Sequence, residues 1–147
     1  MPVRDIETTG VHLWLVLMKA QHAVEKHALR SIAKSGLCFS DFAVLEILLH
    51  KGPLPVNTLG ASVSLSSGAA TAAIDRLEKK ALVRRSADAR DRRARVVHLT
   101  EKGKTLISGA FREHETDMEA LTSGLSPSEK TTLVGLLKKL GKAAASR

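Results

Sequence analysis

Tyrosine is absent from the 147 residues, and aromatics of all kinds amount to 3%. Stacking platforms for single-stranded nucleic acid or flipped bases need aromatic faces, so that mode of binding is not expected. There is one cysteine, Cys38. A single cysteine rules out an intramolecular disulfide framework and argues against a cysteine-built zinc site. His22 and His27 are five apart, a poor spacing for two ligands on one helical face, so no metal is expected either. The first ten residues carry Asp5 and Glu7 and no apolar core preceded by positive charge, unlike a secretory signal. The longest apolar stretch, Val11 to Met18, is interrupted by His12 and falls far short of the roughly 20 residues of a spanning helix. A soluble, cytoplasmic protein with no membrane partner is the expectation. Catalytic signatures are missing too. No Ser-His-Asp, metal or phosphate-loop pattern occurs, and Gly60 and Gly68 do not make a nucleotide cradle, so neither enzyme activity nor a cofactor is expected.

Positive charge is plentiful. The formal net charge is +8, which implies an anionic partner unless the chain is merely a basic soluble protein. The distribution of that charge decides between the two. From Arg84 to Arg95 six arginines stand against Asp88 and Asp91, a net +4 and half of the whole excess. Arginine suits a narrow minor groove and two-point phosphate contacts. The two aspartates are expected to hold individual guanidinium groups in place.

Periodicity places this run in a fold. Val11, Trp14, Leu15 and Met18 recur at helical spacing and open a helix that continues to about Ser35, with Gly36 as its stop. Ser40 reads as the N-cap of a second helix with Phe42, Leu45, Leu48 and Leu49 on its apolar face, ending at Lys51-Gly52-Pro53. A short helix is expected from Val56 to Val63, and a longer one from Ser67 to Lys80 carrying Ala70, Ile74, Leu77 and Ala81 inward. The period then changes. Leu82 to Arg85 and Arg95 to Leu99 are short β-branched runs flanking a polar tip, a hairpin. Thr100 caps a fifth helix, and Ser126-Pro127-Ser128-Glu129 is a strong start for a sixth with Leu133, Leu136, Leu137 and Leu140 on one stripe.

Short helices followed by a β-hairpin read as a winged helix-turn-helix within a mainly α chain. The helix opening with Ser66, Ser67, Gly68 and Thr71, and carrying Arg76 further on, would enter the major groove of double-stranded DNA. Its small hydroxylic residues let the backbone approach phosphates closely, and a helix N-terminus attracts them. The wing residues Arg90, Asp91, Arg92 and Arg93 would reach the adjacent groove. A winged-helix module that binds protein instead of DNA is the competing reading, but it has no need of so basic a tip.

Residues Leu77 to Arg85, then Asp88-Ala89-Arg90-Asp91-Arg92-Arg93, then Leu99-Thr100-Glu101-Lys102-Gly103 resemble the signature of MarR-type transcription regulators, with matching order and flanking helices over residues 10 to 141. The resemblance implies one domain over 1–147: a winged lobe at about 38–100, and dimerisation helices at about 8–36 and 101–145. It implies a homodimeric regulator, a repressor, reading a palindrome, with the Asp-x-Arg of the wing (here Asp91 and Arg93) placing its arginine in the minor groove. Ala81 departs from the family, which usually has glycine there. Alanine tolerates the left-handed conformation poorly, so this turn is expected to differ locally.

The sequence points to a dimer on its own terms as well. Val11, Trp14, Leu15, Leu17, Leu133, Leu136, Leu137 and Leu140 supply more apolar surface than a small winged lobe needs. Regulators of this family often release DNA when a small aromatic or phenolic compound, or an oxidant, acts where dimer helices meet the lobe. His12, Trp14, Met18 and His22 on the first helix, with Cys38 and Phe42 on the second, are the candidates to line such a pocket; a packed interface is the plainer alternative. The segments Phe42 to Glu46 and His50-Lys51-Gly52 are similar to those of quinone-responsive members. Cys38 has no adjacent Lys or Arg in sequence and is expected to be buried and inert.

Overall fold

The computed structural model describes residues 9–147. The N-terminal segment read as non-secretory, and Thr8 at the start of the dimerisation layer, lie outside the described residues.

Helix α1 runs Gly10–Ala33, its first turn capped by the Thr9 hydroxyl, which accepts the His12 N–H at 3.2 Å. Gly36, at φ +78°, turns the chain out of it. Helix α2 is Phe39–Lys51. Its N-cap is Cys38, which makes no side-chain capping bond, and not Ser40. Ser40 sits inside the first turn, where its hydroxyl accepts from the Arg76 guanidinium at 3.3 Å. A two-residue strand β1 (Leu54–Pro55), invisible in the periodicity, leads into helix α3 (Val56–Ser62). Helix α4 (Ser67–Lys79) is capped by Ser66, which accepts the Ala69 N–H at 3.1 Å. Strands β2 (Val83–Ala87) and β3 (Arg95–Leu99) form the hairpin, and β1 adds to β3, giving an antiparallel sheet of order β1-β3-β2. Helix α5 (Glu101–Leu121) and helix α6 (Pro127–Ala145) complete the chain. The start of α6 is the capping box that Ser126 and Glu129 spell out.

The core lies in the lobe. Phe42, Leu45 and Leu48 of α2, Leu59 of α3, Ile74 and Leu77 of α4, Val83 and Val97 of the sheet and Ile107 of α5 are all buried together. Each such side chain contributes roughly 1.5–3 kcal/mol on leaving water. Two short backbone approaches set the geometry of this cluster. A Cβ on Gly60 would meet Ala70 Cβ at 3.2 Å, so α3 and α4 cross at close range. A Cβ on Gly103 would fall 1.9 Å from the Leu82 carbonyl oxygen, so only glycine lets α5 start against the turn before β2.

That turn keeps the left-handed residue despite the missing glycine. Ala81 stands at φ +58°, with the Leu82 N–H bonded to Leu77 O and the Ala81 N–H to Glu78 O, both at 2.9 Å. This pair of bonds is a Schellman cap, and Leu77 and Leu82 pack together beneath it. Thr100 locks it by donating its hydroxyl to Ala81 O at 2.6 Å and its N–H to Leu82 O at 3.1 Å. The expected local difference does not occur: the cap and the Thr100 bonds outweigh the roughly 1–2 kcal/mol that the conformation costs alanine.

Candidate nucleic-acid interface

Two exposed features of the lobe are the candidates for a nucleic-acid contact, the start of α4 and the tip of the hairpin. Ser66, Ser67, Gly68 and Thr71 are all exposed there, at the N-terminal end of α4 where backbone N–H groups are unspent by the helix. Nothing lies within 4 Å of where a Gly68 Cβ would be, so the approach to this end is open.

The tip of the wing is built by its aspartates, though not in the expected way. Asp88 Oδ1 accepts the backbone N–H of Arg90, and Asp91 Oδ1 that of Arg93, each at 2.9 Å. These are Asx turns, closed by the Asp88 N–H to Ala94 O and the Ala94 N–H to Asp91 O at 3.2 and 3.1 Å. The carboxylates therefore shape backbone and hold no guanidinium. Arg90, Arg92 and Arg93 are exposed and make no ion pair among the described residues. Below the tip, Ser86 Oγ meets His98 Nε2 across the strands at 2.7 Å. Burial, and next the charge of Arg84, hold the His98 pKa below its ordinary value.

Two arginines are tied to carboxylates of their own lobe, Arg85 half-buried and Arg76 with its side chain still 47% exposed. Arg85 pairs with Asp75 and, at 3.0 Å, with Glu78, while its own N–H reaches Glu78 at 3.1 Å. Burial opposes its charge, but the bonds from Asp75 and the charge of Glu78 outweigh that and hold its pKa above the usual value. Arg76, expected on the DNA surface, donates to Asp41 of α2 at 2.7 Å. That carboxylate is 2% exposed, and the hydrogen bond to it, with its charge, raises the Arg76 pKa. The sequence shows neither pair, because 35 residues separate Asp41 from Arg76 and only the crossing of α2 and α4 joins them. Gly60 was similarly missed; its signal is a small residue ten positions before another small residue, Ala70, across a helix-turn-helix turn.

The six residues put forward for an effector pocket are not gathered in the single chain. Phe42 is a core residue, edge-on to His114 of α5 with ring centres 5.3 Å apart. His12, Trp14 and Met18 lie along the first half of α1 and His22 just past its middle, and Trp14 is 60% exposed. Cys38 is exposed, not buried, with its Sγ 3.3 Å from Ser40 Oγ and 4.0 Å from the Arg76 guanidinium, because it caps α2 at the surface. The cavities that do exist lie elsewhere. One of about 380 Å³ is bounded by His27, Arg30, Ser31 and Lys34 of α1 and by Asp117 and Met118 of α5. Another of about 400 Å³ lies between Phe39, Ala43 and Ile47 of α2 and Val63. Val11, Leu15, Leu133, Leu136, Leu137 and Leu140, expected at a dimer interface, are all exposed in the chain by itself.

Among known proteins, the MarR family pattern matches residues 40–94. The HTH-type transcriptional regulator MhqR of Bacillus subtilis is 37% identical over 132 residues, covering 90% of this chain and 91% of MhqR. BpsR of Bordetella bronchiseptica, whose DNA binding is regulated by 6-hydroxynicotinic acid, superposes with a TM-score of 0.78 at 26% identity, over 92% of this chain and 94% of BpsR. Sco3205 of Streptomyces coelicolor, a MarR family regulator solved with DNA, shares the fold at a TM-score of 0.80 and 20% identity, over 89% of this chain and 84% of its own.

Proposed function

The chain belongs to the MarR family of DNA-binding transcriptional regulators, not to an enzyme family, and from that premise we propose that it represses as a homodimer on a palindromic operator. In this reading the N-terminal end of α4 enters the major groove and the wing enters the minor groove. The observation that carries it is the wing tip: three exposed guanidinium groups, Arg90, Arg92 and Arg93, on a loop held in shape by Asx turns. A loop already ordered loses little entropy when its arginines settle against phosphates, and arginine in a narrow groove is favoured electrostatically.

The dimer reading rests on α6. A 19-residue helix with a leucine stripe has no buried residue in its own chain. Helices in water owe most of their stability to a packed apolar face, so this one requires a cover. The first half of α1, with Val11, Leu13, Trp14, Leu15, Val16 and Met18 exposed, needs the same. A second copy satisfies both at once, and two lobes then face successive half-sites.

A small aromatic or phenolic compound, or an oxidant, is the proposed releasing signal; a relative's response to 6-hydroxynicotinic acid supports the compound class. The test is binding of the purified protein to the DNA flanking its own gene at two salt concentrations, with and without phenols, quinones and aromatic acids. Tight footprinted binding that weakens steeply with salt is expected, since every neutralised phosphate releases counterion. Arg93→Ala should weaken it by about 1–3 kcal/mol and reduce the salt slope by about one. Equal affinity in a folded Arg93→Ala protein would remove the wing from the mechanism, and absence of any specific duplex binding would favour a protein-binding module.

A further inference from the structure

Helix α4 is gripped on both flanks of its buried face. On one flank Asp75 and Glu78 hold Arg85 of β2, which ties the helix to the wing. On the other, Arg76 reaches across to Asp41, in the first turn of α2. The second grip has the features of a built joint. The Asp41 carboxylate is buried, and a buried carboxylate without a partner is costly. Arg76 meets it with two nitrogens, NH2 at 2.7 Å from Oδ1 and Nε at 3.5 Å from Oδ2, and the same NH2 lies 3.3 Å from Ser40 Oγ. The guanidinium is thereby fixed in plane and direction, with its charge already matched by a neighbour.

We propose that Arg76 is a positioning residue for DNA recognition: it aims α4 through the buried Asp41 carboxylate and does not itself bind phosphate. The inference rests on the reading of α4 as the recognition helix. Freed from Asp41, the helix would still be held to the wing by Arg85, and would pivot about that contact. Its N-terminal residues Ser66, Ser67, Gly68 and Thr71 would then meet base edges less well, while the count of basic groups facing the duplex stays the same. Two hypotheses are thus separable. A phosphate contact contributes charge to all sequences alike, whereas an aiming joint contributes alignment on the specific site only.

The experiment measures binding to the specific duplex and to an unrelated one across a salt series, for the wild type, Arg76→Lys, Arg76→Gln, and the double variant Asp41→Asn/Arg76→Gln. Lysine keeps the charge but loses the fork. The double variant removes both charges, so no lone carboxylate is left buried to unfold the lobe, and its folding is checked by a thermal melt. Expected for all three variants is specific binding weaker by roughly tenfold, with the salt slope and the binding to unrelated duplex unchanged. Two results overturn the proposal: a slope reduced by about one in Arg76→Gln with Arg76→Lys near wild type, or a folded double variant that binds the specific duplex as the wild type does. A wild type that binds no duplex specifically would overturn the recognition-helix reading first, and this one with it.

Discussion

The winged lobe and the terminal helices are built from similar apolar residues and reach opposite outcomes. In the lobe, Phe42, Leu45, Leu59, Ile74, Leu77 and Val97 are withdrawn from water completely or nearly so. In the terminal helices, Trp14, Val16, Leu133, Leu136 and Leu137 stay substantially exposed in the single chain. The lobe's three helices and sheet gather round one cluster, closed by Ile32 of α1 and Ile107 of α5, so each element covers its neighbours' apolar faces. Helix α6 and the first half of α1 are long rods that the rest of the chain does not reach around. One region finishes its core within the chain and the other leaves it open, which is why the first can present a rigid reading face and the second calls for a partner.

The most damaging way to break the self-sufficient half is Gly103→Ala. Its Cβ would sit 1.9 Å from the Leu82 carbonyl oxygen, so the start of α5 must move away from the turn that Thr100 locks. A loss of about 3 kcal/mol or more is expected in urea unfolding, beyond the usual cost of overpacking because the obstacle is backbone. Breaking the open half calls for Leu136→Asp, which puts a charge in the middle of the leucine stripe. Loss of about 2–5 kcal/mol of association energy is expected, seen as monomers in sedimentation with the lobe still folded. Intact dimers would show that α6 is covered by something other than a copy of itself.

Two smaller changes sharpen the contrast. Ala81→Gly should stabilise the lobe by about 1 kcal/mol, since glycine accepts φ +58° without the clash that alanine bears. An unchanged melting temperature would mean that glycine's greater freedom in the unfolded chain cancels the gain. The smallest effect concerns a contact inside the terminal-helix region, where Lys34 at the end of α1 bonds to Asp117 of α5 at 2.8 Å and Ser31 to the same carboxylate at 2.6 Å. The bonds from Lys34, then Ser31, hold the Asp117 pKa below the ordinary carboxylate value. A depressed folded pKa means the unfolded chain takes up the proton first. The stabilisation is therefore complete above the ordinary aspartate range and is lost as pH falls through and below it. Asp117→Asn should flatten that acid limb of the melting curve slightly, and less so at high salt, because the pair is solvent-screened.

Local signals were strong enough to write most of the secondary structure in advance. Thr100 and the Ser126–Glu129 box cap their helices within one turn of themselves, so neighbouring residues suffice to identify those helix starts. Ser40 misled for the mirror reason. It has the chemistry of a cap, but α2 begins before it at Phe39, and its hydroxyl meets a residue 36 positions away. The wing was legible as charge and not as architecture: the density of arginine was plain, whereas the division between those aimed outward and Arg85, which turns back on Asp75 and Glu78, was not.

What the sequence by itself determined is most of what is set by short range and by sums: helix starts and stops other than that of α2, the hairpin, the excess of positive charge, and the surplus of leucine in α6. What only the tertiary structure decided is which cationic groups find a carboxylate of the same chain and which do not. Arg76 and Arg93 are the same residue type seventeen positions apart. One lies over a buried carboxylate delivered by a distant helix and the other stands free on a loop, because the fate of a long cationic side chain depends on what the fold brings within about 3 Å of its tip.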